Sequence, residues 1–330
     1  METRKVQKTG TSTLIVSLPK KWANENVISN GSLLFISQNQ NGDLLLSIDK
    51  YEHDQIVKLD IGSKSGDTLI REVIACYIAG YRTIEISSHQ LTAMQKRDLH
   101  SIVNKLIGPE ILEETINKVV IQDLLGTEEL QADSALKRIK NMTRSMIQDA
   151  LSTLIENNKE LAIDVIQRDN DVDRLNLLIT RQFIEVLRSE SIKQETLNPI
   201  IAFNYMQAAT NFERMADHAS RIAEISSQND YELPAEMTVE LSSLSSVFTT
   251  LIDESISILL KPDTQKANQL IDRTNEIKKQ SIIKISSFWE MNDDEMQIRL
   301  VVANSMERIF DHIINIAELV INMHNAILEN

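Results

Sequence analysis

The sequence predicts a mainly α-helical protein, in which a small β domain and an α+β domain precede two tandem three-helix bundles. Three observations lead to this fold class. Short apolar runs separated by turn signals fill residues 1–50, and strand-like and helix-like segments alternate over 51–126. From residue 127 onward Pro and Gly are nearly absent, and apolar residues recur at three- and four-residue spacing. We therefore predict four domains, at residues 1–50, 51–126, 127–230 and 231–330.

The first domain is predicted to consist of strands around one short helix. The predicted strands are Leu14–Leu18, Ser32–Ile36 and Leu44–Ile48. Asn41-Gly42, a strong hairpin dipeptide, separates the last two. A helix is predicted from Pro19 to Asn26, because proline favours the start of a helix. So short a segment buries little surface, and an intertwined dimer would complete its core.

The second domain is predicted to have the element order βαβαββ. The predicted elements are strands Gln55–Ile61 and Thr83–Ser87, helices Asp67–Ala79 and Ala93–Leu106, and a hairpin of Glu110–Glu113 and Lys118–Asp123. This α+β sandwich resembles ferredoxin-like ligand-sensing domains. The loop Gly62–Gly66 could hold an anion at the start of the first helix, or it could simply cap that helix.

Six helices of roughly 20–30 residues are predicted for the remainder of the chain, which corresponds to two antiparallel three-helix bundles. The helices are separated by breaks at Asn157-Asn158, Asn198-Pro199, Asn229–Pro234, Lys261-Pro262 and Asn292-Asp293.

The formal charge is -14, but it is unevenly distributed. Residues 1–22 contain five Lys or Arg against one Glu, so a basic tip could approach phosphate groups while the acidic body collects cations. No apolar run approaches the roughly 20 residues of a membrane span, and no signal-peptide pattern opens the chain. We expect a cytoplasmic protein without an integral membrane segment. Cys76 is the one cysteine, which excludes an internal disulfide.

A polar motif occurs twice in the helical region. Glu-Arg-x-x-Asp-His begins at Glu213 and again at Glu307, and eight of the sixteen residues from 209 to 224 match across a shift of 94. Glu213 and Asp217 are one helical turn apart, about 5–6 Å, and Glu307 and Asp311 repeat that spacing. Carboxylates so placed repel each other, which disfavours the helix unless a cation lies between them.

Two interpretations of these carboxylates follow from their spacing. Hard cations prefer oxygen ligands, and His218 or His312 would add a donor compatible with iron. Alternatively, the carboxylates form ordinary ion pairs with Arg214, Arg221 and Arg308. The two histidines are equally suited to partner a carboxylate.

The preceding helix adds acidic residues in the first copy. Asp169 and Asp173 are also four residues apart. When the second copy is aligned on Arg168 and Arg273, Thr274 and Lys278 replace this pair. The second copy is thus poorer in ligands, or it uses Asp272 and Glu276 in another register.

These motifs resemble the PhoU family of phosphate-signalling proteins over about residues 130–330. Members have two three-helix repeats, whose acidic motifs hold multinuclear clusters of iron or other metals on the bundle surface. Carried over by position, the resemblance implies metal contacts from Asp169, Asp173, Glu213, Asp217, Glu307 and Asp311. Thr274 and Lys278 depart from the family pattern.

Residues 3–49 are similar to the AbrB/SpoVT swapped-hairpin family, in which two chains interleave hairpins and present basic residues to DNA. The segment that carries the likeness is RKVQKTGTSTLIVSLPKKW, residues 4–22. The resemblance implies a homodimer and DNA contacts from Arg4, Lys5, Lys8, Lys20 and Lys21. The alternative is a module that only dimerises. The combination resembles the archaeal architecture of phosphate uptake regulators.

We therefore predict a regulator of phosphate uptake that binds metal and DNA and is not an enzyme. One alternative is a scaffold that modulates a phosphate transporter ATPase or a histidine kinase by protein contact. Another is a carboxylate-bridged metalloenzyme. That class requires Glu-x-x-His on a helix, and none of the six histidines has Glu three residues before it.

Overall fold

The computed structural model describes residues 2–38, 42–48, 56–125, 132–188, 198–228, 233–287 and 293–328. The described residues divide into two units. One unit holds the N-terminal segment up to residue 53, and the other holds the α+β domain and all the long helices.

The N-terminal unit contains two short antiparallel hairpins and one helix. β1 (Gln7–Thr9) pairs with β2 (Thr13–Ile15), α1 spans Lys20–Glu25, and β3 (Phe35–Gln38) pairs with β4 (Leu44–Ser47). Pro19 precedes α1 as predicted. The first predicted strand is too long, since β2 ends at Ile15, and β1 was missed because Gln7–Thr9 contains no apolar residue.

The apolar side chains of this unit lack a core in a single chain. No residue of the unit whose exposure the structure describes is buried. The exposed fractions of Leu14, Leu33, Ile36 and Leu44 are 67%, 82%, 64% and 70%. Exposed apolar side chains grouped in this way are typical of an interaction surface.

The α+β domain has the predicted element order. It comprises β5 (Ile56–Asp60), α2 (Asp67–Ile78), β6 (Thr83–Ser87), α3 (Ala93–Asn104), β7 (Pro109–Glu114) and β8 (Lys118–Asp123). The strand order is β5-β6-β8-β7, with β5 and β6 parallel and the other pairs antiparallel. Leu69, Val73 and Leu99 pack from the two helices into one core with the sheet.

The ferredoxin-like resemblance is wrong in its topology. Ferredoxin-like domains have the order βαββαβ, a split βαβ arrangement. In this chain α2 connects two strands, β5 and β6, that are direct parallel neighbours. The hairpin of β7 and β8 then extends the sheet from the other side of β6.

The loop Gly62–Gly66 is occupied by the chain's own polar groups. The Gly66 N–H donates to Asp98 Oδ2 at 2.7 Å, and Gln95 Nε2 donates to the carbonyls of Gly62 and Lys64 at 3.0 and 2.8 Å. A carboxylate thus lies where an anion would bind, which favours the capping interpretation.

Six long helices form the remainder of the described chain, as predicted. They are α4 (Ala132–Glu156), α5 (Lys159–Arg188), α6 (Pro199–Gln228), α7 (Ala235–Leu260), α8 (Thr264–Ser287) and α9 (Asp293–Leu328). Asn157 ends α4 with a φ of +50°, and Asn158 Oδ1 accepts from the Leu161 N–H to begin α5. At 36 residues, α9 is longer than expected.

The two three-helix repeats share one continuous apolar core. Equivalent helices pack together, α4 on α7 and α6 on α9. Lys140 and Arg144 of α4 each lie 2.7 Å from a carboxylate oxygen of Asp253 on α7. The pairing of equivalent elements indicates that the repeats are related by an approximate twofold axis, as in an isologous dimer.

Within the described residues, α7 alone has the length and composition of a membrane span. Its mean hydropathy reaches 1.3 over 18 residues, and 44% of that window is buried in the protein. The sequence alone did not indicate a membrane span here, because Ser and Thr interrupt the apolar runs of α7. Leu241, Phe248 and Leu251 are buried in the shared core, which is typical of the core helix of a bundle.

A buried arginine attaches the α+β domain to α5. The side chain of Arg181 is 4% exposed, and its Nη2 lies 2.9 Å from Asp123 Oδ2. Nη1 donates to the carbonyls of Tyr77 and Tyr81 at 2.8 and 3.1 Å, and Nε pairs with Glu185 at 3.1 Å. Every nitrogen of the guanidinium therefore has a partner, which buried charges require.

We expect Arg181→Met to lower the free energy of unfolding by about 3–5 kcal/mol, because it leaves the buried Asp123 carboxylate without its cation. Urea denaturation followed by circular dichroism measures this loss. The control is Lys58→Met, which removes an exposed ion pair to Glu85 with an N–O distance of 3.9 Å. It should change stability by less than about 0.5 kcal/mol. Equal effects of the two substitutions would contradict the anchoring role of Arg181.

Candidate metal centre

Four carboxylates of the first repeat lie at the flank of the α5–α6 packing surface. Asp169 and Asp173 extend from α5, and Glu213 and Asp217 extend from α6. On each helix the neighbouring apolar residues are buried in the shared core, as Val172 and Phe212 show. The helical period therefore places the acidic residues beside the buried stripe, where Asp169 and Glu213 are half-buried and Asp173 and Asp217 are exposed.

Three of these residues converge on one point between the two helices. One carboxylate oxygen from each of Asp173, Glu213 and Asp217 lies within 4.8 Å of the others. Two oxygens bound to one hard cation at about 2.0–2.6 Å are at most roughly 4–5 Å apart. The spacing and the all-oxygen donor set therefore fit one hard cation bound between α5 and α6.

Asp169 adds a fourth carboxylate, and one of its oxygens lacks a hydrogen-bond donor. Its Oδ1 is buried and has no hydrogen-bond partner. Burial, together with the charges of Asp217 and Asp173, raises the pKa of Asp169 to about 7. A buried acceptor without a donor is costly, and a bound cation would satisfy it. This orphaned oxygen is independent support for the fit of a metal to the site.

The pKa values of the other three carboxyls are also raised above their usual range. Burial, then Asp217 and Asp173, raise the pKa of Glu213 to about 7. Burial likewise raises the pKa of Asp173 and of Asp217. Like charges in a partly buried site disfavour ionisation. At these four carboxyls the effects of burial and of neighbouring carboxylates outweigh the attraction of nearby cations.

The ordinary ion pairs considered as an alternative do not form here. Arg214 and Arg221 attract Asp217 and Lys105 attracts Asp173 at longer range, but in the described part of the chain no Lys or Arg nitrogen forms an ion pair within 4 Å of the four carboxylates. On α5, Arg168 pairs with Asp149 and Asp164 at 2.6 and 2.8 Å. The neighbouring arginines thus serve other acids or remain at a distance.

The second repeat is organised differently. Lys278 Nζ lies 2.6 Å from Asp311 Oδ1 and 3.3 Å from Glu307 Oε1. Arg308 adds a longer contact of 3.4 Å to Asp311. Glu307 and Asp311, both predicted ligands, are therefore joined by an ammonium group.

The other register proposed for the second repeat is not formed. Asp272 and Glu276 are exposed, and over the described ranges they make no cluster of metal-binding spacing with Glu307 and Asp311. Thr274, which aligns with Asp169, is fully buried. Only the first repeat therefore brings together an acidic cluster of this kind among the described residues.

The two motif histidines face each other across α6 and α9, an arrangement that the sequence did not predict. The ring centroids of His218 and His312 are 6.1 Å apart. His312 Nδ1 lies 3.0 Å from Asn211 Oδ1. Burial, followed by the charges of His312 and nearby arginines, lowers the pKa of His218 to about 4. Neither histidine joins the acidic cluster, so both are best described as residues of the interface between the repeats.

All five residues predicted to contact DNA are exposed in the N-terminal unit. Arg4 and Lys5 precede β1, Lys8 lies in β1, and Lys20 and Lys21 begin α1. Arg4 pairs with Glu2, and Lys21 Nζ is 3.9 Å from Glu25. In the described part of the unit, the other three lysines form no ion pair and are available to an anionic partner.

Two family models match the chain. The "PhoU domain" model matches residues 136–226 and 241–320, together more than half of the 330 residues. The model "Antidote-toxin recognition MazE, bacterial antitoxin" matches residues 7–51. The two matched PhoU segments fall on the first and second three-helix repeats.

Curated relatives carry the name "Phosphate-specific transport system accessory protein PhoU homolog". The protein from Zymomonas mobilis is 25% identical over 185 residues, which cover 54% of this chain and 77% of that protein. The one from Clostridium acetobutylicum is 23% identical over 198 residues, which cover 58% and 89%.

Two solved structures share the helical fold. The crystal structure of PhoU from Pseudomonas aeruginosa superposes with a TM-score of 0.50 and 22% identity, covering 59% of this chain and 96% of that one. The phosphate transport system regulatory protein PhoU from Streptococcus pneumoniae gives a TM-score of 0.50 and 17% identity, covering 59% and 94%. The chain belongs to the PhoU family and carries an N-terminal domain of the MazE swapped-hairpin type.

Proposed function

We propose that this protein regulates phosphate uptake, as a transcriptional regulator that binds metal through its first repeat and DNA through its N-terminal unit. The role in phosphate uptake rests on the family and on relatives named as accessory proteins of phosphate-specific transport. The metal-binding role rests on one observation: the converging oxygens of Asp173, Glu213 and Asp217, with no counter-ion from the chain among the described residues.

The metal would be iron or another divalent or trivalent ion, held by Asp173, Glu213 and Asp217 with Asp169 beside them. Such an ion supplies positive charge at a site where four carboxylates repel each other. The four residues would link two helices. Two come from α5 and two from α6, so binding ties these helices together, whereas without a cation their charges push the helices apart.

The N-terminal unit would act as a homodimer. Its exposed apolar side chains, Leu14, Leu33, Ile36 and Leu44 among them, would be covered by the same unit of a second chain. The five Lys and Arg residues predicted to contact DNA would then be doubled, which suits contacts with the phosphates of DNA. These contacts carry no sequence information by themselves, so they account for affinity and not for choice of target.

A scaffold that contacts a phosphate transporter or a sensor kinase is the second candidate. The relatives' description as accessory proteins favours it, because that name specifies transport and not transcription. The DNA-binding experiment below separates the two candidates. The metalloenzyme alternative is weaker, since no Glu-x-x-His ligand pair exists in the sequence.

We expect Glu213→Gln combined with Asp217→Asn to abolish metal binding while the helical circular dichroism signal is retained. Elemental analysis of protein purified without chelator, and titration with Mn²⁺, measure the loss. The matched control is Asp171→Asn on α5, whose exposed carboxylate pairs with Arg174 at 3.4 Å and lies outside the cluster. Metal content that is unchanged in the double variant would refute the assignment.

We expect metal affinity to rise with pH up to about 7, because Asp169 and Glu213 must lose their protons to bind a cation. Below about pH 7, each proton that metal binding displaces should add about one to the slope of log affinity against pH. Mn²⁺ titrations between pH 5.5 and 8.5 measure the slope. Asp169→Asn should flatten it, and an affinity independent of pH would contradict the raised pKa values.

The same carboxyls should weaken the metal-free fold as pH rises. Their pKa values are higher in the folded chain than in the unfolded chain, so the folded chain binds more protons between about pH 4 and 7. Their contribution to stability is present at low pH and is lost as pH passes through about 7. In the protein stripped of metal, Asp169→Asn with Glu213→Gln should remove this part of the pH dependence of the melting temperature.

We expect Lys20→Ala combined with Lys21→Ala to weaken DNA binding without dissociating the dimer. Gel mobility shifts at graded salt should show lower affinity, with the salt slope reduced by about one for each lost phosphate contact. Lys137→Ala with Arg138→Ala removes the same charge from the exposed surface of α4 and is the control. If the parent protein binds no DNA even at low salt, the scaffold candidate replaces the transcriptional one.

A further inference from the structure

We propose that Lys278 permanently replaces a ligand and its metal in the second repeat, so that the chain binds metal at the first repeat alone. The inference rests on the metal-binding role proposed above for the first repeat. It assigns a latent metal site to the second repeat, closed by a side chain of the protein itself.

The two repeats can be aligned position by position at the acidic cluster. Asp173, Glu213 and Asp217 form the acidic cluster of the first repeat. Their counterparts at shifts of 105 and 94 residues are Lys278, Glu307 and Asp311. These counterparts also converge, since Lys278 contacts both carboxylates. The backbone thus builds the same three-residue arrangement twice, and one carboxylate has been exchanged for an ammonium group.

The ammonium group performs the task that a metal would perform. Its nitrogen lies 2.6 Å from Asp311 and 3.3 Å from Glu307, so a single positive charge bridges α8 and α9. Partial burial works against the charge of Lys278, yet hydrogen bonds and attraction from Asp311 and Glu307 raise its pKa. Lys278 is therefore charged throughout the physiological pH range.

The remaining charges also disfavour a second metal. The first repeat presents four carboxylates, whereas in the second repeat Thr274 stands in the place of Asp169 and Lys278 in the place of Asp173. The formal charge of the corresponding groups is -4 in the first repeat and -1 in the second. A divalent cation would have to displace Lys278 and bind beside its charge, with half as many carboxylates.

This difference makes only one repeat responsive to metal. Lys278 supplies a fixed positive charge at the edge of the α8–α9 contact, whereas at the edge of the α5–α6 contact the proposed cation would supply it. α5 also holds the α+β domain, because Arg174 donates to the Leu106 carbonyl at 3.3 Å and Arg181 pairs with Asp123. The metal-responsive repeat is therefore the one that is attached to the α+β domain.

The test is to open the latent site in the full-length protein. Thr274→Asp with Lys278→Asp restores four carboxylates in the second repeat. We expect this variant to bind about twice as much Mn²⁺ per chain as the wild type, because it has two equivalent oxygen sites. Lys279→Asp with Thr274→Asp is the matched control, since Lys279 is exposed and adjacent but does not bridge the two carboxylates. It should gain no Mn²⁺.

A second arm silences the first repeat with Glu213→Gln and Asp217→Asn. In this background the unaltered second repeat should bind no Mn²⁺, and Thr274→Asp with Lys278→Asp should restore binding.

Lys278→Ala is a milder change that leaves Glu307 and Asp311 without their cation. In the silenced background it should lower the melting temperature, and Mn²⁺ should raise it again, whereas Lys279→Ala should show neither effect.

Three results would overturn the inference. In the silenced background, Mn²⁺ binding that disappears with Glu307→Gln and Asp311→Asn would show that the second repeat binds metal despite Lys278. A folded Thr274→Asp, Lys278→Asp variant without extra Mn²⁺, or a Lys278→Ala variant as stable as the wild type, would contradict the bridging role. A wild type that binds no Mn²⁺ would instead refute the metal-binding role proposed for the first repeat, and the opened variant would still test the second repeat.

Discussion

The repulsion among Asp169, Asp173, Glu213 and Asp217 is the electrostatic feature that sets the first repeat apart from the second. The α5–α6 packing is formed by apolar side chains, and it brings four acidic groups together at its edge. Water screens exposed charges, but the partial burial of Asp169 and Glu213 and the neighbouring carboxylates make their ionised forms costly, which raises their pKa values to about 7. Packing and electrostatics therefore oppose each other at this edge, and the cation proposed above would reconcile them.

The two repeats differ in what lies beside their paired carboxylates. In the first repeat the carboxylates lack a partner from the described chain, and in the second the same backbone positions carry a lysine between them. An ammonium group is always present, whereas a metal ion depends on supply. The N-terminal unit presents the corresponding problem for apolar surface, since Leu33 and Leu14 are exposed in a single chain and need a partner surface.

Much of this architecture was predictable from periodicity and turn chemistry. Asn157-Asn158 marked a helix break with an identifiable cap, and the shift of 94 residues identified the repeats. Polar strands and tertiary relations were not predictable. β1 contains no apolar residue, and the direct pairing of β5 with β6 depends on packing between distant segments. The acidic cluster was found because its residues lie one turn apart, whereas the contact of His218 with His312 spans two helices and leaves no local pattern.

The pairing of equivalent helices has an evolutionary consequence. In a symmetric assembly of two identical chains, residue 218 of one copy would face the same residue of the other, as His218 faces His312 here. Any substitution in such an ancestor would alter both halves at once. Joining the halves in one polypeptide removes that restriction, so one half can carry its positive charge on a covalently attached side chain while the other remains open to an exchangeable ion. The covalent link between the repeats thus permits a division of labour that a homodimer cannot achieve.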